Sequence, residues 1–246
     1  TICFALALEE VARICGSHAL IMSAHNTLGM GNIWLTGTDE QKKRYVPDLA
    51  SGRKLAAWAL TEPASGSDAA AMKTVATKGP KGWLINGTKN FCTNAPVAST
   101  LVVFAMTDKS LAHRGISAFI VEKDFPGFKV GTIDDKLGIR GSATAELIFD
   151  NCRVPAANVL GQYGAGFITA LKTLDVGRIT IGAAALGGDA RIMEFVQHRS
   201  HVVSPRAAQR DLAVGGGGGD GVGSRLNAVR DHLVFGAVQL FHPRDR

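Results

Sequence analysis

The chain has 246 residues, of which 46% are hydrophobic and 20% are charged, and its formal net charge is +6. This composition is ordinary for a soluble globular protein, and the length suffices for one large domain or two small ones. No apolar run approaches the length of a membrane span, and the first residues lack a basic-then-apolar signal pattern. No lysine-rich block is interleaved with aromatic residues, which argues against a nucleic-acid partner, whereas the positive charge suits polyanionic ligands.

The cysteines and histidines predict neither disulfides nor a metal site. The four cysteines are scattered and form no CxxC pair; they are Cys3, Cys15, Cys92 and Cys152. Such spacing indicates free or buried thiols in a reducing compartment, the cytoplasm or, in a eukaryote, the mitochondrial matrix. His18 and His25 have no partner at ligand spacing, so we expect ordinary core or surface histidines and no bound metal.

The first part of the chain predicts helices. Residues 2–29 carry apolar side chains at helical spacing, and residues 32–35 predict a second, short helix. Thr38 followed by Gln41 is a capping-box pattern, which predicts the start of a third helix.

After Gly52, short apolar runs separated by turn residues replace the helical pattern. Seven runs are typical of strands: 55–60, 73–77, 82–85, 101–106, 115–121, 128–131 and 145–149. Asn86-Gly87 directly follows one of them and predicts a hairpin turn. Strands at this spacing predict a small antiparallel barrel or sandwich.

The last part of the chain predicts two helices and a tail of different composition. Helical patterns return at residues 165–173 and 179–199. Beyond residue 200 there is neither lysine nor glutamate, and Gly215–Gly219 is a glycine run. We therefore expect residues 201–246 to be poorly ordered, since they bury too little apolar surface to offset chain entropy. The tail also contains a GxGxxG match, but a glycine run matches that dinucleotide-binding pattern trivially and no βαβ unit surrounds it.

The chain is organised around the stretch from Trp58 to Asp68, where an apolar run ends in Thr-Glu-Pro and a turn follows. Pro63 stops a regular strand or helix, so the Thr61 hydroxyl and nearby amides come to an element end where a ligand can reach them. Gly66 permits close approach of a ligand to the backbone. From these residues alone, an ordinary strand end with a polar turn is an equal alternative.

Four further motifs follow in order at residues 85–94, 136–142, 149–155 and 174–178, beginning with Ile-Asn-Gly-Thr-Lys-Asn-Phe-Cys-Thr-Asn. Together they resemble the acyl-CoA dehydrogenase family over about residues 1–200. The resemblance implies an α+β fold with N-terminal helices (1–54), a middle antiparallel β-barrel domain (55–155) and a truncated C-terminal helical domain (156–200). It sets residues 201–246 apart as unrelated to the family.

The resemblance also implies a function. It implies FAD as cofactor and oxidation of an acyl-CoA thioester at Cα–Cβ to the 2-enoyl-CoA, as in fatty acid β-oxidation. An electron-transferring flavoprotein would accept the electrons, and the intact family forms homo-oligomers.

By the same resemblance, FAD contacts are expected at Trp58, Ala59, Leu60, Thr61, Gly66, Ser67, Phe91, Cys92, Thr93 and Arg199. Substrate contacts are expected at Ser67, Asp175, Val176, Gly177 and Arg178. Phe91 stands where the family usually has tryptophan, which keeps an apolar ring but removes the indole donor.

No carboxylate in this sequence matches the family's general base. In most members that base is a glutamate in the C-terminal helical domain, and the position used by a minority is occupied here by Gly177. We therefore expect weak or no activity of this chain. A non-catalytic flavin or acyl-CoA-binding remnant, an acyl-CoA oxidase and a flavin monooxygenase are the alternatives.

Overall fold

The structure, a computed structural model, describes residues 2–203, with side-chain surroundings up to residue 193. The helices in this range are α1 (Ile2–Ile14), α2 (Gly16–Ser23), α3 (Gly31–Thr36), α4 (Asp39–Ala50) and α5 (Gly166–Val203), with a π-helical segment at Ala24–Met30. The strands are β1 (Ala56–Ala59), β2 (Val75–Gly79), β3 (Gly82–Thr93), β4 (Thr100–Met106), β5 (Ile116–Glu122), β6 (Phe128–Ile133), β7 (Thr144–Pro155) and β8 (Val159–Leu160). The predicted tail lies outside the described residues, except for residues 201–203 at the end of α5.

The N-terminal helices follow the predicted pattern with one difference. The Gln41 backbone N–H donates to Thr38 Oγ1 at 3.2 Å, and the Thr38 N–H donates to Gln41 Oε1 at 3.1 Å, so the predicted capping box is confirmed. The helix expected over residues 2–29 is interrupted at Cys15, whose backbone is extended (φ −152°). It ends in the π-helical segment, which contacts β1.

The eight strands form one sheet in the order β6-β7-β3-β2-β4-β5-β8, and β1 pairs with β4 beside this path. In addition, β1 contacts β3 and β5 contacts β7, although neither pair is hydrogen-bonded, which shows that the sheet wraps around itself. The predicted fold class is confirmed. The difference is the orientation of two pairings, β1 with β4 and β2 with β4, which are parallel.

Two hydrophobic cores share strand β4, because its successive side chains point to opposite faces. Leu101 and Val103 face the core enclosed by the sheet. Val102 and Phe104 face a second core, which the sheet shares with α3, α4 and α5. All four side chains are fully buried, so each stabilises the fold by about 1.5–3 kcal/mol.

The last helix packs closely on the first. A Cβ added at Gly187 of α5 would lie 2.1 Å from the Glu9 carbonyl oxygen of α1. α5 also contacts the end of α2, where the Ser23 and Thr180 hydroxyls hydrogen-bond each other at 2.9 Å. The two helices predicted over residues 165–199 are one continuous helix. No helix within residues 2–203 combines the length and the apolar character that crossing a bilayer requires.

The predicted hairpin turn at Asn86-Gly87 is wrong. Both residues lie inside β3, and the turn between β2 and β3 falls between Gly79 and Gly82, which pair with each other. The register of β3 against β7 shifts between Ile85 and Gly87, so the glycine marks an irregularity in a long strand. Gly87 has φ 144°, and its Cβ would lie 2.7 Å from the Thr74 Cα, which explains why glycine is needed.

Candidate functional site

A tight polar turn follows β1. The Glu62 N–H donates to the Ser65 carbonyl at 2.9 Å, and the Ser65 N–H donates back to the Glu62 carbonyl at 3.2 Å. The Ser65 hydroxyl then donates to the Asp68 carbonyl at 2.6 Å. Gly66 and Ser67, between these anchors, are exposed, so the turn presents its backbone to the surface as the sequence predicts.

A buried ion pair fixes this turn to strand β3. Lys89 Nζ donates to Glu62 Oε1 at 2.7 Å and to the Leu60 carbonyl at 3.0 Å, and both charged side chains are almost fully buried. The Glu62 carboxylate also accepts the backbone N–H groups of Lys73, at 2.5 Å, and Thr74, at 3.0 Å. One carboxylate therefore holds three donors from two other segments.

The ion pair shifts the protonation of both partners. Burial alone disfavours the Glu62 carboxylate, but the Lys89 charge and the hydrogen bonds outweigh it, so the pKa of Glu62 is lowered. Burial lowers the pKa of Lys89, and the Glu62 charge opposes that shift. The ionised carboxylate is thus the stable form of Glu62.

The backbone beside the ion pair has unpaired donors. The Asn90 N–H donates to the Thr61 carbonyl at 2.8 Å, which brings residues 60–62 alongside residues 89–91. Among the described residues, no group accepts from the Leu60 or Thr61 N–H or hydrogen-bonds the half-buried Thr61 hydroxyl. These donors can therefore serve a ligand with acceptors along one edge.

Phe91 sits beside these donors in an unusual conformation. Its backbone has φ 57°, a region that bulky residues rarely adopt, and its side chain is 68% exposed. The register of β3 with β7 shifts between Lys89 and Cys92, which turns the strand at this point. An exposed ring next to unpaired hydrogen-bond donors fits a flat aromatic ligand with a polar edge, such as a flavin.

Other predicted cofactor contacts differ in what their side chains can do. Ala59 is fully buried, and so is Cys92, whose pKa burial raises to about 12. Both residues belong to the core enclosed by the sheet. Trp58 packs edge-on against Phe104 with ring centroids 5.3 Å apart, and its indole N–H is buried without a hydrogen-bond partner among the described residues. Thr93 is half-buried and pairs with Thr144 of β7.

The contacts measured for the predicted substrate residues of α5 lie within that helix and at Leu28 of the π-helical segment. Arg178 Nη1 lies 3.0 Å from Asp175 Oδ1, and both side chains are about 70% exposed. Gly177 is buried, and a Cβ there would lie 3.3 Å from Leu28 Cδ2. Val176 is half-buried beside it. The side chain of Arg199 lies outside the described residues.

Sequence reasoning missed the residues that hold the site together. Lys89 lies in one of the motifs and Glu62 in the Thr-Glu-Pro strand end, but neither motif by itself predicts that the two side chains form a buried ion pair. Asn94 Nδ2 donates to the Ile21 carbonyl at 3.2 Å and the Ala56 carbonyl at 3.4 Å, which links the strand end to the helices. In the sequence, Glu62, Lys89 and Asn94 are visible only as polar residues inside or next to apolar runs. The sequence does not show which group each of them contacts.

A wrapped sheet preceded and followed in the chain by helices, with a site for a flat ligand at the end of β1, defines the class of protein. Residues 1–53 match the N-terminal domain of acyl-CoA dehydrogenases, and residues 57–152 match their middle domain. The chain belongs to the acyl-CoA dehydrogenase family.

Similar proteins support this assignment, and the match covers only part of the length of each of them. The chain is 49% identical over 184 residues to the short-chain specific acyl-CoA dehydrogenase of Clostridium acetobutylicum, covering 75% of this chain and 48% of that protein. It is 44% identical over 241 residues to an acyl-CoA dehydrogenase of Bacillus subtilis, covering 96% and 62%. The chain thus spans about half the length of the curated relatives it matches.

One of the similar solved structures that contain FAD is an acyl-CoA dehydrogenase. An acyl-CoA dehydrogenase of Bacillus anthracis complexed with FAD is 42% identical, with a TM-score of 0.70 over 74% of this chain and 31% of that chain. The longer alignment to the Bacillus subtilis protein reaches beyond residue 200, into the segment that composition sets apart. The assignment of that segment as unrelated to the family stays a prediction.

Proposed function

We propose that this chain is part of a short-chain acyl-CoA dehydrogenase that uses FAD to oxidise an acyl-CoA to the 2-enoyl-CoA. The observation that carries the proposal is the hydrogen-bonded junction of residues 60–62 with residues 89–91, which places unpaired donors beside the exposed Phe91 ring. Family membership and the similarity to a short-chain specific relative support the reaction and the substrate class. The relative solved with FAD supports the cofactor.

The residues of the junction would hold the cofactor in a defined way. FAD supplies the acceptor for the hydride that leaves the substrate Cβ. The Leu60 and Thr61 N–H groups and the Thr61 hydroxyl would donate to its polar edge, while Phe91 covers one face of the ring. Trp58 and Thr93 would complete the surroundings, with Ala59 and Cys92 in the adjoining core. Gly66 and Ser67, on the exposed turn, would face the phosphates.

Residues of α5 would orient the substrate. Arg178 and Asp175 form an exposed ion pair, which is worth little in water and so costs little to rearrange around an acyl-CoA. Val176 and Gly177 would form part of the surface that contacts the acyl-CoA. Ser67 would also contact the thioester substrate. Arg199 would meet the FAD phosphates, in the family's manner, from a neighbouring subunit of a homo-oligomer. Electrons would pass to an electron-transferring flavoprotein.

A non-catalytic flavin or acyl-CoA-binding protein is the second candidate. Gly177 favours it, because this position cannot carry the carboxylate that takes the substrate α-proton in part of the family, and the helix there packs on Leu28. A positioned base contributes about 10²–10⁴-fold to proton transfer, so a chain without one would bind ligands and turn over slowly.

Flavin bleaching under anaerobic conditions tests the proposal. The 246-residue chain is titrated with FAD and then mixed with butyryl-CoA, and the same is done with a chain extended by a family-like C-terminal helical domain. We expect weak FAD binding and hardly any bleaching by the chain alone, and rapid bleaching by the extended chain. FAD binding without bleaching in the extended chain would favour the remnant, rapid reoxidation by O₂ would favour an oxidase or a monooxygenase, and no FAD binding by either chain would refute the proposal.

A further inference from the structure

The Glu62–Lys89 pair is unusual because it is an ion pair sealed inside the protein next to the proposed cofactor site. Lys89 is 0% exposed and Glu62 2% exposed at their side chains, whereas the other ion pairs measured among the described residues are substantially exposed. Removing a lysine and a carboxylate from water costs several kcal/mol per ion unless their hydrogen bonds are satisfied. A buried pair of this kind is weak evidence for a contribution to stability, which leaves room for a role in function.

Lys89 acts on the peptide that carries one of the unpaired donors. Its ammonium donates to the Leu60 carbonyl at 3.0 Å, and that carbonyl belongs to the same peptide unit as the Thr61 N–H. A charged donor on the carbonyl polarises the peptide and strengthens the hydrogen bond that its N–H can give. The next peptide is held as well, because the Asn90 N–H donates to the Thr61 carbonyl at 2.8 Å.

Glu62 fixes the position of Lys89. Its carboxylate is immobilised by the backbone N–H groups of Lys73 and Thr74, just before β2. The ammonium is therefore aimed at the Leu60 carbonyl by a carboxylate that cannot swing away.

We propose that Lys89 and Glu62 are positioning residues for the flavin: they orient and polarise the Leu60–Thr61 peptide toward the polar edge of the ring. Neither side chain touches the cofactor, and both act through the backbone of residues 60–62. This role rests on the proposed function, because it presupposes that the junction binds FAD.

Two variants separate positioning from simple structural support. Lys89→Met keeps the length of the side chain and removes the charge, but it leaves the Glu62 carboxylate buried without its cation. The double variant Lys89→Met, Glu62→Gln removes both charges and keeps one acceptor oxygen for the Lys73 and Thr74 N–H groups, which in the wild type donate to different oxygens of Glu62. Arg44→Met is the matched control, because it breaks an ion pair of the same 2.7 Å length, Arg44–Glu122, at a more exposed place.

FAD titration of the full chain, followed by flavin fluorescence, is the first measurement. We expect the dissociation constant to rise about tenfold in Lys89→Met and to stay raised in the double variant, because the hydrogen bond from the Leu60–Thr61 peptide to the ring is misaligned and weakened, and one such bond is worth about 0.5–1.5 kcal/mol. The Arg44→Met variant should bind FAD like the wild type. Circular dichroism shows whether each variant is folded, and the double variant decides the question if Lys89→Met does not fold.

Hydrogen exchange of the ligand-free protein is the second measurement, and it does not depend on FAD. The Asn90 amide, which is bonded to the Thr61 carbonyl, should exchange faster in both Lys89 variants than in the wild type or in Arg44→Met. If the wild type binds FAD and the folded double variant binds it equally well, the positioning role is overturned while the proposed function stands. Unchanged Asn90 exchange would overturn it too. If neither the wild type nor the chain extended by a family-like C-terminal domain binds FAD, the proposed function falls, and this inference falls with it.

Discussion

Two neighbouring glycines of α5 give a sharp test of how the first and last helices pack. Gly187 is buried, and a Cβ there would lie 2.1 Å from the Glu9 carbonyl oxygen and 3.0 Å from the Ala12 Cβ. A Cβ at Gly188, one residue further along the same helix, would meet nothing within 4 Å. The change Gly187→Ala therefore forces α1 and α5 apart, and Gly188→Ala does not.

The size of the effect follows from two opposing contributions. Alanine in place of glycine inside a helix stabilises by about 0.5–1 kcal/mol, and both variants share this gain. Overpacking at a close contact costs about 1–3 kcal/mol, and only Gly187→Ala carries that cost. The obstacle is a backbone oxygen, which cannot rotate out of the way as a side chain does. We therefore expect the two variants to differ by close to 3 kcal/mol, with Gly188→Ala the more stable.

Thermal and urea unfolding, followed by circular dichroism, measure this difference. For a domain of this size, about 1 kcal/mol corresponds to about 2–4 °C in the unfolding midpoint, so the variants should be separated by several degrees. Gly188→Ala should melt at or slightly above the wild-type temperature. Equal stability of the two alanine variants would refute the close packing of α1 on α5.

Three further predictions concern single side chains. Thr61→Val should weaken FAD binding about fivefold, from the loss of about 1 kcal/mol in one hydrogen bond, and unchanged binding would mean an ordinary strand end. The folded-state pKa of Glu62 is lowered, so its contribution to stability is present above the unfolded pKa and is lost as pH falls through the folded pKa. Urea unfolding between pH 6 and about pH 3 should thus show that the free energy of unfolding falls more steeply with decreasing pH in the wild type than in Glu62→Gln. Parallel plots of unfolding free energy against pH would contradict this. The His18 imidazole, 3.1 Å from Cys15 Sγ, lowers the pKa of that thiol to about 7, whereas burial raises that of Cys92 to about 12. Mass spectrometry after brief iodoacetamide treatment at neutral pH should find Cys15 alkylated well before Cys92. The variant His18→Ala should lower the rate at which Cys15 is alkylated. Equal labelling of the two cysteines would contradict the lowered pKa of Cys15.

Local signals in this sequence predicted local structure well. The capping box at Thr38 and Gln41 formed as expected, because both partners lie within one helical turn. The strand end before Pro63 also formed as expected, since proline restricts the backbone whatever surrounds it.

The failures came from contacts between distant segments. Asn86-Gly87 is a strong local turn signal, yet the close approach of Thr74 uses the glycine inside a continuous strand. Gly177, expected between two helices, lies inside one helix, where a Cβ would come within 3.3 Å of Leu28 Cδ2.

The ion pair at the centre of the site was out of reach for a similar reason. Glu62 and Lys89 look like ordinary surface charges in the sequence, and only the pairing of their segments buries them. The unpaired donors at Leu60 and Thr61 were expected from the strand end, but their polarising partner was not.

The parallel pairing of β1 with β4 has a consequence for the order of folding. Ala56 pairs with Thr100, so β1 must wait for a strand far along the chain, whereas β4 and β5 are joined by a short connection and pair antiparallel. Closing a long loop costs more chain entropy than forming a local hairpin, and the pairing of distant strands is therefore slower. The turn that follows β1 can adopt its final structure only after β1 has paired with β4. We therefore expect the junction of residues 60–62 with residues 89–91 to be among the last parts of the sheet to form. A pulse-labelling experiment during refolding would find the Asn90 amide protected later than the amides that join β4 to β5.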